Sequence, residues 1–129
     1  MALKDYFEKN KGLGVLSTAD AKGKVNAAVY SRPHVLDDGR VAFIMGDKLS
    51  HANIGANPRA VFLFKEEGSG YEGKRLYLRK DKETDDAEII DAMAKHKCHG
   101  VSCDTAKMKK RYLVYFKVES VLPLIGSGE

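Results

Sequence analysis

The 129-residue sequence has few of the features that mark exported or membrane-spanning proteins. Its only two cysteines, Cys98 and Cys103, cannot form a disulfide framework, so we expect a reducing compartment, the cytoplasm. No apolar run approaches the roughly 20 residues of a membrane-spanning helix. The first residues lack the apolar core of a signal peptide. We therefore expect neither export nor a membrane partner.

A large excess of charge is also missing. The sequence has 22 Lys and Arg against 18 Asp and Glu, and the net charge of +4 is too small and scattered to indicate a nucleic-acid partner. No glycine-rich phosphate loop follows a predicted strand, which argues against the common nucleotide-binding motifs. The composition is 43% hydrophobic and 31% charged, an ordinary globular balance. The length predicts a single domain over residues 1–129.

Short apolar segments separated by turns predict a mainly β fold. Turns at Ala19–Lys24 and Asp37–Arg40 favour hairpins, and the Asp-Gly pair of the second permits the positive backbone angles of a tight turn. Val41–Met45 is apolar throughout, which indicates a strand buried on both faces. The six predicted strands are Val15–Thr18, Val25–Ser31, Val41–Met45, Arg59–Lys65, Arg75–Lys82 and Arg111–Leu122.

Helical spacing predicts three short helices. Gly12 and Gly14 end the first, and Pro58 limits the second. Because the strands follow one another in hairpin style, we predict a mostly antiparallel β-barrel of the α+β class with helices at its margins. The first helix has Leu3, Tyr6 and Phe7 on one face, the second spans Asp47–Ala56, and the third runs from a cap at Thr84 or Asp85 through Cys98.

The junction between strand Val41–Met45 and the second helix is the first candidate site. A helix N-terminus exposes unpaired N–H groups and a partial positive charge, which makes it an anion site. Lys48 adds a full charge and Ser50 a hydroxyl donor, so a phosphate group would fit. On spacing alone, the pattern favours a solvated lysine and a simple N-cap at Asp47 or Ser50.

The segment Asn26–Pro33 is the second candidate site. Its small residues would let a flat ligand lie near the strand backbone, and polar groups follow them at Tyr30, Ser31 and Arg32. The alternative interpretation is an edge strand with an exposed arginine. Neither segment is diagnostic in isolation.

The order of these segments resembles the pyridoxamine 5′-phosphate oxidase-related FMN-binding split barrels. The resemblance covers nearly the whole chain, from about Leu3 to Gly126. It is carried by the order and spacing of several weak motifs rather than by one strong motif. These motifs are the strand Asn26–Arg32, the Asp-Gly turn, the strand Val41–Met45, the run Lys48–Val61 with its Asn-Pro-Arg-Ala-Val ending, and the strand Tyr112–Glu119 leading to Val121–Leu124.

The resemblance implies a homodimer of six-stranded antiparallel split barrels, with one FMN in each of two clefts at the subunit interface. It also implies a small-molecule substrate or electron donor. The junction Met45–Asn53 would hold the phosphate, the strand Asn26–Arg32 would lie along the flavin ring, and the apolar tail Leu122–Ile125 would cover the partner's flavin. The implied cofactor-binding residues are Tyr30, Ser31, Arg32, Met45, Lys48, Ser50 and Asn53.

The sequence also departs from the oxidase that gives the family its name. That enzyme has Ser-Arg-Lys at the phosphate turn, where this sequence has Lys48-Leu49-Ser50. It ends in an arginine-containing substrate segment, which is not found before Glu129 here. We therefore expect an FMN-binding protein or flavin oxidoreductase rather than a vitamin B6 oxidase, and no residue is identified as a catalytic base.

Two other ligand classes are compatible with a small barrel. Haem or another planar ligand would replace the flavin, with His34 or His51 as a contact. Single-stranded nucleic acid would use the basic run Lys107–Arg111 and stacking on strand aromatics. A zinc site at Cys98 and Cys103 is not expected, because the spacing with the nearby histidines fits no common zinc pattern.

Overall fold

The protein is described by a computed structural model over residues 3–95 and 110–126, which contain three helices and seven strands. Glycines at positive φ close the first two hairpins, Gly23 at 87° and Gly39 at 91°. The elements are α1 Leu3–Lys9, β1 Gly12–Ala19, β2 Val25–Val29, β3 His34–Val35, β4 Val41–Gly46, α2 Leu49–Ala56, β5 Arg59–Glu66, β6 Gly73–Thr84, α3 Ala87–Lys95 and β7 Arg111–Pro123.

The seven strands form one antiparallel sheet in the order β2-β1-β5-β6-β7-β4-β3. The sheet is strongly curved, because α2 contacts β1 and β2 near one edge and β4 near the other. Aromatic packing joins the same two regions, since the Tyr30 ring after β2 lies 5.9 Å from the Phe43 ring of β4. The predicted mainly β, antiparallel architecture with short flanking helices is confirmed.

An aromatic core fills the inside of the curved sheet. Phe62, Phe64 and Phe116 are fully buried there. Helix α1 contributes Phe7, whose ring packs edge-to-face on Phe64 at 5.2 Å. Each buried aromatic side chain removes a larger apolar area from water than a smaller side chain does. This cluster therefore provides the main hydrophobic stabilisation.

Strand β4 is buried on both faces, as its uniform apolar sequence predicts. Val41, Phe43 and Met45 face the aromatic core. On the opposite face, Ala42 packs in a second cluster with Ile90 of α3. Helix α3 therefore covers the side of β4 that points away from the aromatic core.

Three sequence-based predictions need correction. There are seven strands in the described residues rather than six, because the Asp-Gly turn lets the short segment His34–Val35 pair with the start of β4. The first strand begins at Gly12 rather than at Val15, so Gly12 and Gly14 lie within β1. The cap of α3 is Asp86, whose Oδ1 accepts a hydrogen bond from the Glu88 N–H at 2.9 Å, rather than Thr84 or Asp85.

Some predictions fall outside the described residues. These are the end of the third helix at Cys98, the cysteine pair Cys98 and Cys103, and most of the basic run Lys107–Arg111. In the described ranges, 3–95 and 110–126, no helix is both long and apolar enough to cross a membrane.

Candidate functional site

The turn between β4 and α2 is built by the backbone. Met45 is fully buried in the core and fixes the end of β4. The Lys48 N–H then donates to the Gly46 carbonyl at 2.9 Å, and the Lys48 carbonyl accepts from the Ala52 N–H at 3.0 Å. The chain therefore turns sharply at residues 46–48, and α2 begins at Leu49 with Lys48 as its N-cap.

The N-cap residue of α2, Lys48, does not cap the helix with its side chain. Its backbone is extended and, within the described part of the chain, its side chain makes no capping hydrogen bond. The side chain is exposed, whereas Ser50 in the first turn is only 6% exposed. An uncapped helix start with an adjacent lysine has the geometry and charge to bind an anion.

Tyr30 and Ser50 join the two candidate segments. Burial raises the pKa of the Tyr30 phenol, and a hydrogen bond with the Ser50 side chain acts in the opposite direction. Tyr30 follows β2, and its N–H continues the sheet by donating to the Gly14 carbonyl at 3.0 Å. The segments that the sequence singled out separately thus meet in one place.

Asn53 lies one turn further along α2 and is buried. Its Nδ2 donates to Thr18 Oγ1 on β1 at 3.0 Å. With 4% of the residue exposed, this amide holds the helix against the barrel. Its predicted place near a cofactor phosphate stays a prediction.

Arg32 and Ser31 differ in their surroundings. The Arg32 guanidinium donates to two backbone carbonyls at the end of α1, Phe7 O and Asn10 O, the second at 3.0 Å. Ser31, which lies between Tyr30 and Arg32 in the sequence, is exposed. Arg32 therefore ties α1 to the segment after β2, while its predicted contact with a flavin remains a prediction.

His51 is the residue whose surroundings the sequence did not reveal. Its ring stacks on Tyr112 with centroids 3.8 Å apart and planes 9° from parallel. Its Nε2 lies 3.0 Å from Glu83 Oε2, and Glu83 also accepts from Lys80 Nζ at 2.6 Å. Burial acts to raise the pKa of Glu83, but hydrogen bonds from Lys80 and His51 outweigh it, so the pKa is lowered.

An apolar surface covers the outer side of β2, β1 and β5, which we call the outer face. Val25 and Val29 are 77% and 72% exposed. Val29 lies opposite Val15 of β1, which in turn lies opposite Leu63 of β5. Directly opposed residues in an antiparallel sheet share a face, so these side chains form one continuous apolar strip.

The end of β7 and the residues after it are tied to β6. Arg75 Nε donates to the Pro123 carbonyl at 2.9 Å, and the Arg75 guanidinium also bonds the Gly126 carbonyl. Ile125 between them is 65% exposed. The tail predicted to cover a partner's flavin is therefore anchored, with an apolar side chain free to solvent.

Solved structures share this fold. An FMN-binding protein from Syntrophomonas wolfei subsp. wolfei superimposes with a TM-score of 0.79 at 20% identity, over 97% of this chain and 85% of that one. An F420 reductase gives 0.70 at 13% identity, over 91% and 94%. The haem storage protein HutZ from Vibrio cholerae gives 0.73 at 14% identity, over 98% and 96%.

These likenesses establish the split-barrel fold of the pyridoxamine 5′-phosphate oxidase-related proteins and confirm that structural prediction. No protein-family model matches the chain, and no curated protein matches it. The names of these three neighbours give three different ligands, FMN, F420 and haem.

Proposed function

We propose that this protein is a single-domain FMN-binding flavoprotein that acts in the cytoplasm as an oxidoreductase. The observation that carries the proposal is the start of α2, where exposed Lys48 and buried Ser50 flank an uncapped helix N-terminus beside Tyr30. A dianionic phosphate suits this combination of positive charge, hydroxyl and backbone N–H groups. The FMN-binding neighbour supports the same cofactor.

The residues of the site divide between the two ends of the cofactor. Lys48 and Ser50 would hold the phosphate, while Tyr30 and the small residues of β2 would border the ring. Bound FMN would supply the electron or hydride transfer, and the protein would orient it and set its potential. An electron donor or small-molecule substrate would approach the exposed side of the ring.

We also propose a homodimer with the cofactor at the subunit interface. The outer face supports this, because a strip containing Val25, Val29 and Leu63 is larger than the isolated apolar side chains usual on a monomer surface. A second copy of the chain would remove this surface from water. The anchored tail Leu122–Ile125 would lie at the edge of that interface.

Haem is the second candidate ligand, favoured by the likeness to the haem storage protein. His51 does not offer a ready axial ligand, because its Nε2 faces Glu83 and its Nδ1 lies 3.9 Å from Asp47 Oδ1. Flavin binding needs no such ligand, and the uncapped helix start favours a phosphate-bearing cofactor.

The absorbance spectrum of the purified protein separates the two ligands. We expect the bands of oxidised flavin, or their uptake when FMN is added to colourless protein. A Soret band on haem titration, without FMN uptake, would favour the haem alternative. A protein that takes up neither ligand would overturn both.

Lys48→Ala tests the phosphate site. Removing the charge should weaken FMN binding about tenfold, as expected for loss of one charge-assisted contact, and leave the fold intact. The matched control is Lys22→Ala, an exposed lysine in the β1–β2 turn. Fluorescence titration measures both affinities, and equal affinities for the two variants would remove Lys48 from the site.

A further inference from the structure

We propose that His51 and Glu83 are positioning residues that fix the first turn of α2 and thereby set the phosphate selectivity of the cofactor site. The inference rests on the proposed function, since it concerns the same helix start. It adds two residues that do not themselves contact the cofactor.

The His51 side chain is held from two directions. Tyr112 near the start of β7 supports one face of the ring at 3.8 Å. Both oxygens of Glu83, at the end of β6, lie 3.0–3.1 Å from Nε2. Only 17% of the His51 side chain is exposed. These contacts, rather than solvent, therefore set the orientation of its ring.

Helix α2 therefore has two tethers on different parts of the barrel. His51 binds it to β6 and β7, and Asn53 binds it to Thr18 of β1. In the sheet, β1 and β7 are separated by β5 and β6. Two anchors that far apart restrict both translation and rotation of the helix, which a single anchor would not.

The tether at His51 lies next to the residues that would bind phosphate. Ser50 precedes it and Lys48 is three residues earlier, so a shift of the first turn moves both groups. The groups facing the imidazole are Asp47 on the turn, Glu83 with its partner Lys80 on β6, and the Tyr112 ring on β7. The ion pair with Lys80 keeps the Glu83 carboxylate in place as the acceptor.

Comparing FMN with riboflavin isolates this role, because riboflavin has the same ring and ribityl chain but no phosphate. Glu83→Ala should weaken FMN binding about tenfold and change riboflavin affinity less than about twofold. Glu83→Gln keeps an oxygen that can accept from the imidazole, so it should restore most of the FMN affinity. Glu119→Ala is the control, because it removes an ion pair with Arg59 at 3.0 Å on strands β7 and β5.

Hydrogen exchange at the Ala52 amide provides a readout that needs no ligand. This N–H closes the first turn of α2 on the Lys48 carbonyl at 3.0 Å, so loss of the tether should accelerate its exchange in Glu83→Ala. If that variant does not fold, His51→Gln is used in its place. Circular dichroism verifies the fold of each variant.

The outcomes separate the inference from the proposed function. If the wild-type protein binds no FMN, the proposed function fails, and an unchanged Ala52 exchange rate would overturn the tether as well. If the wild type binds FMN but Glu83→Ala binds it equally well, or loses riboflavin and FMN to the same extent, the positioning role is wrong. A loss confined to FMN, together with faster Ala52 exchange, supports it.

Discussion

Ser50 occupies a central place among the residues of the site, because it belongs to the helix start and also contacts Tyr30 after β2. A buried hydroxyl must find a hydrogen-bond partner, which restricts the choice of residue there. Lys48 differs from Ser50, because its side chain is exposed and its position is not restricted by burial. At the proposed phosphate site, Ser50 would therefore offer a hydroxyl in a fixed position, and Lys48 would offer a positive charge.

Gly14 is a second residue whose identity is dictated by its neighbours. A Cβ there would lie 2.5 Å from the Tyr30 carbonyl oxygen and 2.5 Å from Phe62 Cζ. We expect Gly14→Ala to lower the free energy of unfolding by about 1–3 kcal/mol, as overpacking does. Urea denaturation measures the change.

Gly55→Ala is the control for that substitution. In the described structure nothing lies within 4 Å of a Cβ at this position of α2. Alanine in a helix should raise the free energy of unfolding by about 0.5–1 kcal/mol. A Gly14→Ala protein as stable as the wild type would show that β1 can move away from Tyr30.

Helix α2 has only eight residues, and it depends on contacts with the barrel. Its buried side is formed by Ser50, Asn53 and Ile54, two of which are polar. A short helix is marginal without tertiary contacts, so these tethers decide whether it forms. The contacts that stabilise the helix also fix the orientation of its N-terminus relative to the barrel.

The N-terminus of helix α3 is capped by Asp86. Asp86 Oδ1 accepts from the backbone N–H of Glu88, so Asp86→Ala should lower the free energy of unfolding by about 1 kcal/mol. Asp85→Ala removes the same charge one residue earlier and should have a smaller effect. Equal losses, measured by chemical denaturation, would indicate that charge near the helix start matters rather than the cap.

Local patterns predict the elements well and their partners poorly. The apolar run of β4, the Asp-Gly turn and the Asn57-Pro58 end of α2 are each visible in a few adjacent residues. The pairing of His51 with Glu83 joins residues 32 positions apart, and no spacing rule predicts it. The contact of Tyr30 with Ser50 likewise depends on closure of the curved sheet. Lys48 and Ser50 could be proposed from sequence because a helix start is a local feature.

The whole molecule presents an apolar outer face that a monomer would leave in water. If this face joins two copies, a charge on its edge strand β2 should separate them. We expect Val29→Glu to convert the dimer to a folded monomer with weaker FMN binding, observed by analytical ultracentrifugation. The dimer should separate because its interface would bury the unpaired carboxylate that the substitution introduces, and removing that charge from water is costly.

Ile89→Glu provides the comparison for Val29→Glu. It introduces the same charge at an exposed aliphatic residue on α3, away from the outer face. This variant should remain dimeric. A Val29→Glu protein with unchanged mass in solution would show that the outer face is not the interface.

A crystal structure of the protein with FMN would show whether the start of α2 holds the cofactor phosphate. We expect the phosphate at the start of α2, within hydrogen-bond distance of Ser50 Oγ and the first backbone N–H groups, with Lys48 Nζ beside it. The flavin ring should border Tyr30 and β2. A phosphate bound elsewhere on the barrel would show that the start of α2 is not the phosphate site.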